Sequence, residues 1–411
     1  INQFTNFDRK SYYYPDLPKN YQTSQNYFNI GDNGYVDMVV DGKGKRINIH
    51  NVHLEEEAGK LVHPEASDAN YSLVDFNRAG VPLLEIVTQP DMRSIEEVES
   101  YMHTLRNILL YIGVSDCKMQ EGSLRFEASI SLREHGSMVL GNRVEIKNLN
   151  SMKAVLKVLA YEMSRQSSLL DDGKEVLLET RLWDDVDAVS RRMRTKEDAH
   201  DYRYFPEPDL VPFWINQEWI DETETTIPEL PVSKRQRFVK EYSLSDYDAG
   251  ILTDDKSLAD YFEECVGLSQ DSPKELSNWI INDVLRELNE RKVYVQDFTV
   301  TPETLVGLIK IKPTIGNSIA KEVFVEMANT GKDAPTIVKE KDLTQMDDTS
   351  ELNEIVIKIV EENPKAVEDY GLGKKNALAF LIGQTMKITK GKANPKILTE
   401  LFKQRLSSIS K

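Results

Sequence analysis

At 411 residues the chain suits two or three domains. Its net charge of −17 argues against a nucleic-acid partner for the chain as a whole. No apolar run approaches the roughly 20 residues of a membrane helix and no signal peptide is visible, so a cytoplasmic setting without membrane contact is expected.

The first half reads as mixed α and β. Residues 34–40 form a strand ending at Asp41-Gly42, a hairpin signal, and 45–50 return antiparallel to it. Residues 83–87 are a short strand closed by Pro90. Ser94, with Glu97 three positions on, opens a helix through a capping box. Val98, Met102, Leu105, Leu109 and Ile112 then line one face of it. Residues 125–132 and 143–147 read as further strands. Residues 152–166 read as a second helix with Val155, Leu159 and Met163 on one face.

After Trp219 the texture changes. The stretch 225–231 carries Pro228 and Pro231, each restricting its predecessor, and reads as hinge-like. Beyond it the period is helical, at 257–266, 276–288 and 302–309, with Pro313, Pro335, Pro364 and Pro395 as punctuation. The fold class is α+β: an antiparallel-sheet cradle over 1–222, an all-α domain over 223–340 and a small helical tail over 341–411.

Charge is unevenly spread. From Gly371 onward there are nine Lys and Arg against one acid, Glu400, so this stretch carries +8 and the remainder −25. Such asymmetry points to a polyanion at the tail, with a solvated lysine-rich helical face as the plainer alternative.

Several stretches can carry chemistry. Residues 201–209 combine Tyr202, Tyr204 and Phe205 with Arg203, three carboxylates and two prolines. The prolines and alternating charge disfavour a core strand, leaving a stiff, wet binding surface or an irregular loop. His53-Leu54-Glu55-Glu56-Glu57 follows a strand. On an extended chain His53, Glu55 and Glu57 share one face and Glu56 takes the other. Imidazole and carboxylate on one face can hold a divalent metal, although three glutamates are also a common solvated run. Glu85 sits among apolar neighbours, where a carboxylate needs a partner or a metal. Glu145 and Lys147 fall on one strand face. There is no P-loop and no GxGxxG, so any nucleotide phosphates must meet cationic side chains. The only cysteines, Cys117 and Cys265, lack CxxC partners, which argues for a reducing compartment and against a cysteine zinc site. Neither has a histidine nearby in sequence, and no GxSxG nucleophile is present.

Seven stretches, taken in order, resemble the B subunits of the tRNA-dependent amidotransferases, the GatB family. They are Phe7 to Lys10 with Tyr14 to Lys19; 53–60; 75–85; 121–125; 144–151; 193–197 with 201–209; and 391–395. The resemblance covers essentially the whole chain. It implies a carbon–nitrogen ligase component of a heterotrimer, whose other members are an amidase-like glutaminase (the A subunit) and a small third chain (the C subunit). The implied reaction is ATP-dependent phosphorylation of the side-chain carboxylate of Glu-tRNA(Gln) or Asp-tRNA(Asn), then amidation with the partner's ammonia. ATP and Mg2+ are the implied cofactors. The implied metal ligands are His53, Glu55, Glu56, Glu85 and Glu127, with His53 and Glu56 preferred over Glu55. Glu127 departs from the family's usual aspartate. Glu85, Glu56 and Lys10 are the implied catalytic residues, and Arg9, Lys10, Lys147, Arg194 and Arg203 the implied ATP contacts. Lys387, Lys390, Lys392 and Lys396, in a YqeY-like tail, are the implied tRNA contacts. The family pattern also places a Gly-Leu-Glu-x-His motif ahead of the first residue here. The alternative is a non-catalytic tRNA-docking scaffold. The archaeal E-type relative would carry an inserted domain that is not seen between 222 and 411.

Overall fold

In the computed structural model the described residues are 1–62, 70–195, 202–269, 273–343, 349–372, 374, 376–389 and 392–409, the side chains of 194, 195 and 409 excepted. They form two compact units, Ile1–Leu230 and Pro231–Lys411. The division falls inside the proline-bearing stretch 225–231.

The strands of the first unit are β1 (Phe4–Thr5), β2 (Asp8–Ser11), β3 (Tyr21–Ser24), β4 (Gly31–Val40), β5 (Lys43–Glu56), β6 (Lys60–Val62), β7 (Leu73–Asp75) and β8 (Pro82–Thr88), then β9 (Ala128–Ile130), β10 (Val144–Lys147), β11 (Glu179–Asp184), β12 (Val189–Thr195), β13 (Phe205–Pro206) and β14 (Phe213–Trp214). Helices α1 (Ile95–Tyr111), α2 (Met152–Asp171) and α3 (Gln217–Thr226) complete it.

The predicted hairpin is β4–β5. Asp41 and Gly42 both have positive φ, 48° and 74°, the conformation that matches a two-residue turn to strand twist. Val36 and Met38 on β4 and Ile47 and Ile49 on β5 face Tyr101 and Leu105 of α1. The Ser94 hydroxyl accepts from the Glu97 N–H at 3.2 Å, and the Glu97 carboxylate reaches the N–H of Arg93, not that of Ser94. β8 joins the far side of β5, giving the order β4-β5-β8.

Between Ile49 and Asn51 the β5–β8 register shifts. Ile49 pairs with Thr88 and Asn51 with Val87, so His50 is an extra residue, a bulge. Side-chain parity inverts there. Val52 and Ile86, which are paired, pack on the α1 core, so His53, Glu55 and Glu85 look out on the other face.

The second sheet runs β12-β11-β10-β9. Its β10–β11 pair is parallel, joined through α2, so the cradle is not purely antiparallel. The strand expected over 125–132 is shorter, Ala128–Ile130, the three residues that pair with Val144–Ile146 of β10. On α2, Val155 and Leu159 are buried as expected, but Met163 is 38% exposed. At 100° per residue Glu162 lies about 20° from Val155 and Met163 about 80°. Glu162 and Gln166 therefore take the inner positions. Glu162 accepts from Arg165, Gln166 and Ser190 and pairs with Arg181. Glu179, also buried, pairs with Arg165, Arg181 and Arg192. These two acids and three arginines tie α2 to the β11–β12 hairpin.

The second unit is helical among its described residues. One core gathers Phe238, Phe262, Trp279 and Phe324, and another Leu352, Leu381, Phe402 and Leu406. The helix expected over 276–288 is broken into Pro273–Trp279, a π-helical stretch Ile280–Val284, and Leu285–Arg291. Pro313 does not end its helix, which runs Pro302–Ile315 and stops at Gly316. A proline so near the C-terminus costs one ladder bond, and positive φ at Gly316 makes the stop. Pro335, Pro364 and Pro395 each sit in a first helical turn. No described helix is long and apolar enough to cross a membrane.

Candidate functional site

The bulge in β5 assembles the site. His53 and Glu85 are a direct antiparallel pair, and Glu55 lies two residues along on the same face. Ligand atoms of these three lie within 4.8 Å of one another. His53 Nε2 is 3.4 Å from Glu55 Oε1 and 3.8 Å from Glu85 Oε2. His53 Nδ1 is 3.0 Å from Asn51 Oδ1. An amide oxygen only accepts, so Nδ1 carries a proton and Nε2 faces the two carboxylates. Two ligands of one ion at about 2.1 Å stand at most about 4.2 Å apart, so closure by roughly half an ångström brings all three into range. One imidazole with two carboxylates is a donor set for a divalent cation.

The two acids differ in environment. Glu55 is 7% exposed by its side chain. Burial works to raise its pKa but is outweighed by His53, the nearby charge of Lys10 and the Ser24 hydroxyl, which hold it below the usual range. Glu85 is 52% exposed and not enclosed as its apolar neighbours implied, because Ile86 turns to the core instead. Its pKa is raised, first by desolvation, then by the charges of Glu55 and Glu127.

Glu56 does not join this group. It points the other way, where Oε1 accepts from the Thr23 N–H at 2.8 Å and meets Lys19 Nζ at 2.5 Å. Strand alternation persists to the end of β5, so adjacent glutamates cannot share a face. Glu57, past the strand end, is buried against Arg125 and Arg78.

Lys10 Nζ is 3.9 Å from Glu55 Oε1 and stands 5.2 Å from the Tyr202 ring and 5.9 Å from that of Tyr12. Lys147 Nζ lies 2.9 Å from Glu127 and 3.2 Å from Glu145. Burial pulls the Lys147 pKa down, yet these two carboxylates raise it overall. Glu127 is thus near enough to act on Glu85 while standing outside the three-residue group. Arg9, beside Lys10, faces away and is engaged by Glu207 at 2.8 Å and Asp209 at 3.0 Å, with Tyr21 beneath it. Residues 202–209 are added at the edge of β2, with Arg9 paired to Phe205, so Pro206 interrupts no interior ladder. Burial and the charge of Glu55 push the Tyr204 phenol up to about 12, and burial with Asp16 and Glu55 does the same at Tyr12. Arg203 is exposed with positive φ, 44°. Arg194 lies on β12 without a described side chain, and Lys196 and Asp201 fall outside the described residues.

Residues 1–221 match the family described as the GatB/GatE catalytic domain, and residues 260–406 match the GatB domain. The chain is 51% identical over 409 residues to the B subunit of the Aspartyl/glutamyl-tRNA(Asn/Gln) amidotransferase of Thermoanaerobacter sp., covering 99% of this chain and 85% of that protein. It is 49% identical over 413 residues to the like-named protein of Carboxydothermus hydrogenoformans, covering 100% and 85%. It is 48% identical over 404 residues to that of Thermodesulfovibrio yellowstonii, covering 98% and 84%.

The chain belongs to the GatB family. The His53–Glu55–Glu85 group therefore lies within the GatB catalytic domain, and the lysine-rich tail within the GatB domain. In that tail Lys387 and Lys396 are exposed. Lys392 differs: it is paired with Asp342 at 3.1 Å. Lys390 falls outside the described residues. Four further residues frame the His53–Glu55–Glu85 group without a sequence signal: Asn51, Tyr12, Gln22 and Ser24. Each is an ordinary polar residue until the fold brings it near His53, Glu55 or Lys10.

Proposed function

We propose that this chain is the carboxylate-activating component of a tRNA-dependent amidotransferase. Its reaction is transfer of the ATP γ-phosphoryl group to the side-chain carboxylate of Glu-tRNA(Gln) or Asp-tRNA(Asn), followed by displacement of phosphate by ammonia. The ammonia would come from a glutaminase partner, in a complex with a third, small chain. A carboxylate is a poor electrophile because oxide is a poor leaving group, and phosphorylation replaces it with a good one. The observation carrying this reading is the outward-facing His53–Glu55–Glu85 group with Lys10 beside it, on a chain about half identical to proteins named for that amidotransferase.

His53, Glu55 and Glu85 would hold Mg2+, which when bound supplies positive charge against phosphate oxygens. Lys10, beside Glu55, and Lys147, tied in through Glu127, would add fixed positive charge near the group, where charge on a transferring phosphoryl group needs it. The Tyr12, Tyr202 and Tyr204 rings cover the Lys10 side and limit water there. Glu127, outside the metal group, would take a proton from ammonium once released by Lys147, since only neutral ammonia attacks. Arg9 serves the scaffold through Glu207 and Asp209. Exposed Lys387 and Lys396 suit phosphates of the tRNA body.

Radiolabelled ATP and misacylated tRNA, with the complete complex, test this. Glu85→Ala should lower phosphoryl transfer by at least about a hundredfold, as expected when a metal ligand is removed. Undiminished transfer would refute the assignment and favour the scaffold reading.

A further inference from the structure

β5 outruns its partner. Gly31, the first residue of β4, pairs with Val52, so residues 53–56 have β8 on one side and no β4 on the other. An exposed edge of this kind leaves main-chain groups unpaired. Here β3 and the residue after it fill the gap with side chains. Gln25 Oε1 accepts from the Leu54 N–H at 3.0 Å, and Gln22 Nε2 donates to the Glu56 carbonyl at 2.9 Å. Gln22 Nε2 also donates to Glu55 Oε2 at 3.0 Å, and Ser24 Oγ donates to Glu55 Oε1 at 2.8 Å. Gln22 and Ser24 lie two apart on β3, hence on one side, and both are buried. Glu55 therefore has a donor on each oxygen, fixing both the plane and the direction of its carboxylate.

We infer that Gln22 and Ser24 are positioning residues, which hold the Glu55 carboxylate in the orientation that lets it share one divalent cation with His53 and Glu85. The inference rests on the metal reading proposed above and extends it from the ligands to the strand that aims them. Neither residue meets the cation. Each acts through Glu55, as hydrogen-bonded partners of ligating groups do. A buried carboxylate without such donors would carry an uncompensated desolvation cost and could rotate away. Gln22 contributes twice, because its second N–H fixes the main chain at Glu56 and so the strand end itself.

Mn2+ affinity of the full-length protein, read from the free-ion EPR signal, tests this without recourse to activity. Wild type should bind one tight ion, and Glu55→Ala should lose it. Ser24→Val and Gln22→Met, close to the originals in shape, should each weaken binding by about tenfold or more. Ser24→Thr, which keeps the hydroxyl, should stay within about threefold of wild type. In a Glu55→Ala background Ser24→Val should change residual binding no further, since its effect passes through the missing carboxylate. Equal affinity for Ser24→Val, Ser24→Thr and wild type would overturn the positioning role while leaving the metal site intact. A wild type that binds no Mn2+ would instead sink the metal reading, and the inference with it. Melting temperatures of the Thr and Val variants, compared with each other, separate loss of the hydroxyl from loss of fold.

Discussion

Glu162 offers the sharpest test of how the first unit holds together. Its carboxylate is fully buried on α2, receives hydrogen bonds from Arg165 at 2.7 Å, Gln166 at 3.1 Å and Ser190, and lies 3.3 Å from Arg181. Removing one partner of a buried ion pair costs about 3–5 kcal/mol, because the other charge is left without compensation. Arg165 and Arg181 both retain Glu179, at 3.6 and 2.8 Å. Glu162→Ala should therefore fall at the lower end, about 3 kcal/mol, which in a unit of this size lowers Tm by roughly 6–12 °C. Glu162→Gln keeps the shape and loses the charge, for about 1–3 kcal/mol.

The pH dependence has a definite sign. Burial tends to raise the Glu162 pKa, but Arg165, Ser190 and Gln166 more than offset this and leave it below its ordinary value. A folded pKa below the unfolded one means that the charge stabilises above the ordinary carboxylate range. That contribution disappears as pH falls through the folded value. The stability gap between wild type and Glu162→Gln should thus be full at pH 7 and close on acidification, when both side chains are neutral. Urea titrations across that range measure it. A gap below about 1 kcal/mol at pH 7, or one that does not change with pH, would refute the reasoning.

Three further outcomes are expected. Lys387→Ala and Lys396→Ala should each reduce the slope of log affinity for tRNA against log salt by about 1, measured by filter binding, whereas Lys392→Ala should do less because Asp342 already engages that lysine. Phe238→Ala empties a fully buried position packed on Phe262 at 5.0 Å between ring centres, and should cost the helical unit about 3–5 kcal/mol by chemical denaturation. Cys265 is fully buried, and desolvation pushes its thiol up to about 12, so a thiol reagent at pH 8 should label it only after unfolding.

What the sequence discloses here depends on how local the cause is. Asp41-Gly42 with flanking alternation dictates β4–β5, and Ser94 with Glu97 dictates the start of α1, since both signals act over a few residues. Alternation also places Glu55 with His53 and sets Glu56 apart, against the preference for Glu56 that the family resemblance gave. The strand's continuation to Glu56, on which this depends, is fixed by β8 and β3, not by β5 itself. Glu162 could not be read as an inner residue. Glutamate on a helix is ordinarily solvent-facing, and only the arrival of Arg181 and Ser190 beside its helix neighbour Arg165 makes its burial tolerable. Likewise Gln22 and Ser24 acquire meaning only when β3 crosses the end of β5.

Ile47 and Glu55 are eight residues apart on one strand, an even spacing, yet they look in opposite directions. His50 works as a frameshift in the strand's inside–outside alternation. Deleting it would leave plain alternation, with Val52 still on the apolar layer under α1, His53 and Glu55 still facing outward, and Asn51 following Ile49 in unbroken register with β8. Deleting a second residue between Ile49 and His53 would invert the sense, turning the imidazole and the Glu55 carboxylate toward that apolar layer, and would draw the strand end back by about 7 Å in all, out of reach of the groups on β3. The strand can therefore lose its bulged residue and keep its faces, but not the next residue as well, whichever amino acids occupy it.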